Sequence, residues 1–210
     1  MTFIYPLGDG SKWDDNELLV SVSLLKKYHK EARIIVVGEK PKCDIDVEFI
    51  PNKQEGSRYQ KSMGNILKGV GAVKDQFVLM NDDFFCTKEF SDIPLYWDMT
   101  VKERIKIAPS IIYQRFLERS SGELNYAVHK PFMVKDVDLF VDCVNKCLRN
   151  NSSVRIMYGN IYKENSKQEK DIKLRSIGET ADWFSISDKF LTPENKTWLK
   201  SLIQDITEES

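Results

Sequence analysis

With 210 residues, of which 41% are hydrophobic, the chain can bury a core of ordinary size, and one domain is expected over 1–210. Its 31 basic and 32 acidic side chains leave a formal net charge of -1, which excludes the pervasive positive field of an obligate nucleic-acid coat while leaving room for a local basic groove. No apolar run reaches the roughly 20 residues of a membrane-crossing helix, and residues 1–10 lack the basic and apolar regions of a signal peptide, so a soluble cytoplasmic protein is expected.

Phe3, Ile4 and Tyr5 form a short apolar strand that stops at Pro6, and the polar stretch GDGSKWDDN leads into a periodic helix over 17–28. RIIVVG at 33–38 is a continuous β-branched run ended by Gly38, and VEFIP at 47–51 is a second short strand ended by Pro51. Gly56 and Ser57 open a helix to about residue 70, and QFVLM at 76–80 is the next strand. The order β, α, β, β, α, β predicts a three-layer α/β fold with a mostly parallel sheet covered on both faces. Ligands of such sheets gather at the carboxyl ends of the strands, here 6–9, 38–41 and 81–83. Further helices are expected over 101–117, 135–148 and 193–206, the last opened by Thr192, and a strand in RIMYGNIY at 155–162. KENSKQEKDIKLR at 163–175 is charged and lacks apolar periodicity, and reads as an exposed loop or lid.

Cys43, Cys86, Cys143 and Cys147 are too few and too unevenly spaced for a disulfide framework, so reduced thiols are expected. Cys143 and Cys147 fall one helical turn apart, but no CxxC pair or neighbouring histidine completes a zinc set, and packing is the expected role of both.

The stretch QFVLMNDDFF ends an apolar strand in Asn81, Asp82 and Asp83. Adjacent carboxylates point to opposite faces while the chain stays in a strand, so their convergence requires it to leave the strand here. Mg²⁺ and Mn²⁺ take oxygen ligands and keep positions open for substrate phosphates, so one or two carboxylates on a rigid strand end suffice for a metal–diphosphate site. Taken alone, the two aspartates read more plainly as capping the next turn or facing solvent.

The segments DNELLVSVSLLKKYHKEARIIVVGEKPK, RYQKSMGNILKGVGAVKDQFVLMNDDFF and VHKPFMVKDVDLF resemble the sequence blocks of the Stealth-type sugar-phosphate transferases. Those blocks run from an acidic Glu-Leu helix start through a Gly-x-x-Pro strand end to an Asn-Asp-Asp strand end and a His-x-Pro loop. The resemblance covers about residues 1–140, and NDDFF is its most specific part. It implies a nucleotide-sugar-binding core similar to the GT-A glycosyltransferase fold, with 1–100 as the nucleotide-binding half and 101–210 as the acceptor-side half. It also implies that Asp83 ligates the metal, that Asp82 contacts the metal or the ribose and diphosphate, and that His129 is a further metal or phosphate contact. A neutral imidazole suits Mn²⁺, and Pro131 stiffens the loop that carries His129, although a surface loop is the plainer reading of that histidine alone.

Arg58, Lys61 and Asn65 recur at helical spacing in the helix before NDD. Lysine and arginine neutralise a diphosphate and asparagine orients a sugar hydroxyl; Lys61 is preferred, since Arg58 equally fits a solvated face. Lys130 is expected to stabilise charge on the leaving nucleoside diphosphate. Tyr5, Pro6, Gly8 and Asp9 offer an aromatic face, a flexible glycine and an acceptor carboxylate to a base and ribose. The candidate base toward the acceptor is Asp182, beside Trp183 in GETADWF, where a turn before a strand is the alternative.

The leading expectation is therefore a glycosyltransferase that uses Mn²⁺ or Mg²⁺ and moves a sugar from a nucleotide diphosphate donor to a hydroxyl acceptor. Sugar-1-phosphate transfer is the alternative within enzymes. A catalytically silent nucleotide-sugar-binding module is another class. A third is a viral enzyme, working in the host cytoplasm on a hydroxymethylated DNA base, for which Lys102, Arg104, Lys106 and 163–175 would supply the basic surface.

Overall fold

The computed structural model describes residues 1–53, 55–119, 122–171, 173–174, 181–186, 189 and 191–204. Strand β1 (Thr2–Leu7) pairs in parallel with β2 (Arg33–Gly38) on one side and with β4 (Phe77–Leu79) on the other. β3 (Glu48–Pro51) extends the sheet in parallel beside β2, and β7 (Phe132–Val134) closes it antiparallel to β4. The five-stranded order is β3-β2-β1-β4-β7, so the sheet is mostly parallel, as expected, with one reversed edge.

Period-two alternation distributes the strand residues between two cores. Ile4, Ile35, Val37, Phe77, Leu79 and Phe132 face the core that holds helix α2 (Arg58–Val70), while Phe3, Tyr5, Ile34, Val36 and Val78 face helix α1 (Asn16–Tyr28). Burial on both faces is why RIIVVG reads as a continuous apolar run. α2 starts where Ser57 and Gln60 form a reciprocal capping box. It lies close on the sheet at Gly69, where an added Cβ would stand 2.8 Å from the Ile4 side chain.

The second half departs from expectation in three places. The helix expected over 101–117 is two, α3 (Val101–Ile107) and α4 (Ile111–Arg119), because Pro109 lacks an N–H and disfavours helical backbone at Ala108. α5 (Val137–Asn150) follows β7, capped by the Asp136 carboxylate, and its Cys143 and Cys147 are buried packing residues. RIMYGNIY is not a strand but helix α6 (Val154–Tyr162). Its apolar side chains are buried around most of its circumference, which removes the 3.6-residue periodicity and leaves a run that sequence alone cannot distinguish from a strand.

The third departure is the charged stretch at 163–175, whose described part is tied down. β8 (Ser166–Gln168) pairs with β6 (Leu95–Trp97), and β9 (Lys173–Leu174) pairs with β10 (Trp183–Ile186). β10 also pairs antiparallel with β5 (Phe84–Cys86). Helix α7 (Pro193–Gln204) brings Leu199 into a cluster with Trp13, Val20, Leu24, Phe85 and Phe184; residues 205–206 of the expected helix lie outside the described residues.

Candidate active site

The carboxyl ends of β1, β2 and β4 open onto a cleft of about 560 Å³. β4 stops at Leu79, Met80 donates its N–H to the Ile4 carbonyl, and a turn closed by Phe84 N–H to Asn81 O (3.2 Å) throws Asp82 and Asp83 into that cleft. Phe84 and Phe85 then enter β5 and are wholly buried. The two aromatics thus anchor the far end of the turn in a different sheet from the near end.

Asn81, Asp82 and Asp83 line the cleft together with Pro6, Gly8, Asp9, Arg58, Lys61, Asn65 and His129, so the structure brings together most of the residues singled out from the sequence. Burial, the neighbouring Asp83 and then Glu17 push the Asp82 carboxyl up to about 7. Asp83 is also raised by burial, against which Lys173 and His129 act. The Lys173 ammonium lies 3.6 Å from Asp83 Oδ2. Two adjacent, desolvated carboxylates short of positive charge fit a divalent cation. Among the described residues no three His, Cys, Asp or Glu side chains cluster so as to hold an ion. Asp82 and Asp83 are residues of the cleft that could contribute carboxylates to an ion.

His129 lines the same cleft, but its ring is already engaged: Nδ1 lies 2.7 Å from Asp171 Oδ2, and its backbone N–H donates to Asp171 Oδ1 at 2.8 Å. Burial would raise the Asp171 carboxyl, yet these bonds from His129 hold it below the usual range. A proton on Nδ1 leaves Nε2 as the acceptor of the ring.

Four sequence expectations are corrected here. Tyr5 offers no face to a ligand: it is fully buried, its hydroxyl 2.9 Å from Ser21 Oγ, because period two sends it into the α1 core while Pro6 turns to the cleft. The Asn65 amide is committed to the fold rather than left for a sugar hydroxyl. Its Nδ2 donates to Leu7 O and its Oδ1 accepts from Asn52 Nδ2, both at 2.9 Å. Lys130 is 3% exposed and is not part of the cleft lining, paired with Glu169 and lying over the Tyr96 ring at 4.9 Å. Asp182 lies outside the cleft lining, its carboxylate 2.5 Å from Lys88 Nζ at the start of β10.

Gly38 closes the junction of β1, β2 and α2. At φ +128° it adopts backbone that favours glycine, and a Cβ there would lie 2.1 Å from Leu7 O and 2.4 Å from Asn65 Nδ2.

Lys173 in the site and Arg155 behind it had no sequence signal that singled them out, and Glu17 entered only as the glutamate of the Glu-Leu helix start. Glu17, 5% exposed, lines the cleft and accepts from Ser11 Oγ at 3.0 Å. Lys173 sits in the stretch read as a loop. Arg155, in the helix read as a strand, donates to Val128 O and Lys130 O (both 3.1 Å) and to Asn81 Oδ1 (3.2 Å), with its guanidinium over the Phe84 and Phe132 rings. Burial lowers it to about 10. It stays cationic at neutral pH and locks the VHKP loop to the NDD turn.

No known protein family matches the chain, and no curated protein is similar to it in sequence. Solved structures are similar in fold. The galactosyltransferase LgtC, solved in complex with donor and acceptor sugar analogues, superposes with a TM-score of 0.55 at 9% identity, covering 97% of this chain and 96% of that one. An active-site mutant of LgtC gives a TM-score of 0.52, also at 9% identity and with the same coverage. The likeness is one of fold.

Proposed function

We propose that the chain is a metal-dependent glycosyltransferase that moves a sugar from a nucleotide diphosphate donor to a hydroxyl acceptor. One observation carries this reading: two desolvated adjacent carboxylates at the carboxyl end of a central strand share one cleft with Lys61 and Arg58. Pro6, Gly8 and Asp9 flank the base and ribose, Lys61 and Arg58 meet the diphosphate, and Asp82 and Asp83 hold Mn²⁺ or Mg²⁺, with His129 beside them. An ion held there would supply countercharge to the diphosphate that leaves the sugar. A second cleft of about 280 Å³, lined by Tyr59, Met63, Tyr113 and Arg155, shares Pro6, Ser62 and Asn81 with the first, and we assign it to the acceptor side.

The imidazole of the VHKP loop, held by Asp171 beside Asp83, favours a second reading, the sugar-1-phosphate transfer of the Stealth-type enzymes. Product mass separates the two, since only the second adds phosphorus to the acceptor and releases a nucleoside monophosphate. The test of the first reading is a panel of nucleotide sugars scored by thermal stabilisation with Mn²⁺ and with EDTA, because a ligand of the native state raises its stability by mass action. At least one donor should stabilise only with Mn²⁺, and Lys61→Ala should weaken it by about 1–2 kcal/mol. Absence of Mn²⁺-dependent stabilisation across the panel refutes the proposal.

A further inference from the structure

Glu169, Asp171 and Lys173 stand at alternate positions, and each is paired with a different residue of the site region: Lys130, His129 and Asp83. The flanking chain is held at both ends, by β8 against β6 and by β9 against β10. This strap therefore delivers one cation to one carboxylate of the NDD turn. The Lys173 side chain is 31% exposed and that of Asp83 is 22% exposed, so the pair has solvent on one side and an exit for the ammonium. Lysine suits such a duty, being a point charge on a flexible stem. Among the described residues Asp82 has no ion pair, so the cation deficit of the two carboxylates is half met.

We infer that Lys173 is a built-in competitor for the cation site: its ammonium neutralises Asp83 while no metal is bound, and a divalent ion takes Asp83 by displacing it. The displaced ammonium remains on the wall of the same cleft, where a phosphate oxygen of the donor replaces the lost carboxylate. Metal loading is thereby coupled to anion binding through one side chain. The inference rests on the reading of Asp82 and Asp83 as metal ligands.

The test is Mn²⁺ binding without nucleotide, followed by electron paramagnetic resonance of the free ion, in wild type, Lys173→Met and Lys173→Arg, with Asp83→Ala as the control for the site. Removing the competing charge should tighten Mn²⁺ about threefold to fivefold in Lys173→Met, whereas Lys173→Arg stays within about twofold of wild type. With Mn²⁺ saturating, Lys173→Met should weaken nucleoside diphosphate binding by a similar factor. Equal or weaker Mn²⁺ binding in Lys173→Met overturns the inference and leaves the metal site standing. No Asp83-dependent Mn²⁺ binding in wild type or Lys173→Met, with or without nucleoside diphosphate, overturns both.

Discussion

Replacing Asp82 by Asn removes a charge that the fold holds at a cost. A carboxyl that titrates near 3.9 in an unfolded chain and at about 7 in the native cleft binds more protons when folded across that interval. Native stability due to this group is therefore fully present below about pH 4 and is lost as pH rises to about 7. The whole interval is worth about 4 kcal/mol, and partial solvent access reduces that to about 2 kcal/mol. Asp83, also raised, acts in the same direction. Asn keeps the size of the side chain and has no charge to desolvate, so the variant should gain about 2 kcal/mol at about pH 8 and show a flatter profile down to about pH 5. Urea denaturation in EDTA, followed by far-ultraviolet circular dichroism at the two pH values, measures both. In wild type, Mn²⁺ at about pH 8 should restore the lost stability, and in Asp82→Asn it should not. A variant that is no more stable than wild type at about pH 8 in EDTA refutes the reasoning.

Tyr5→Phe should cost about 1 kcal/mol by removing the buried hydrogen bond to Ser21 Oγ, which keeps its own bond to the Phe84 carbonyl, while leaving nucleoside diphosphate affinity unchanged; a loss of affinity would return Tyr5 to the ligand. Arg155→Lys should lower stability by about 2 kcal/mol or more, since an ammonium cannot reproduce the planar fork that meets two carbonyls and Asn81, and an unchanged melting temperature would contradict this. Gly38→Ala should cost about 2–4 kcal/mol in urea titration, because the new methyl meets backbone oxygen and the Asn65 amide; less than about 1 kcal/mol would show that the junction relaxes.

The parallel sheet was legible because its strands are buried on both faces and separated by turn residues: RIIVVG and QFVLM announce themselves by β-branched and apolar runs. The NDD strand end was legible for the same reason, since the polar triplet interrupts an apolar strand that aims it. Pro6, Gly8, Asp9 and Lys61 were picked out from strand ends and helical spacing, whereas Arg58, set behind Lys61 on sequence grounds, lines the same cleft. The rest depends on contacts that leave no local trace. Nothing in KENSKQEKDIKLR distinguishes Asp171 and Lys173 from solvated charges until β9 and β10 pair and set them against His129 and Asp83. Arg155 was hidden because a helix buried on most sides has no periodicity. Tyr5, Lys130 and Asn65 show the converse: residue types suited to ligands, spent on the fold because side-chain direction is set by register and packing.

The NDD turn has its two ends in different sheets, β4 in the five-stranded one and β5 in the sheet completed by β10. For a chain emerging from a ribosome, that arrangement sets an order of events. β1 to β4 and the helices between them meet through connections within the first eighty residues, contacts that local closure makes fast. β5 waits for a partner about a hundred residues later, and His129, Arg155 and Lys173 arrive in the same interval. Through most of synthesis, then, the carboxylates stand at the end of a formed strand with no fixed far side. On the function proposed above, ligand recognition should appear abruptly and late, when residues 183–186 dock, because the cleft of the nascent chain has no walls before then.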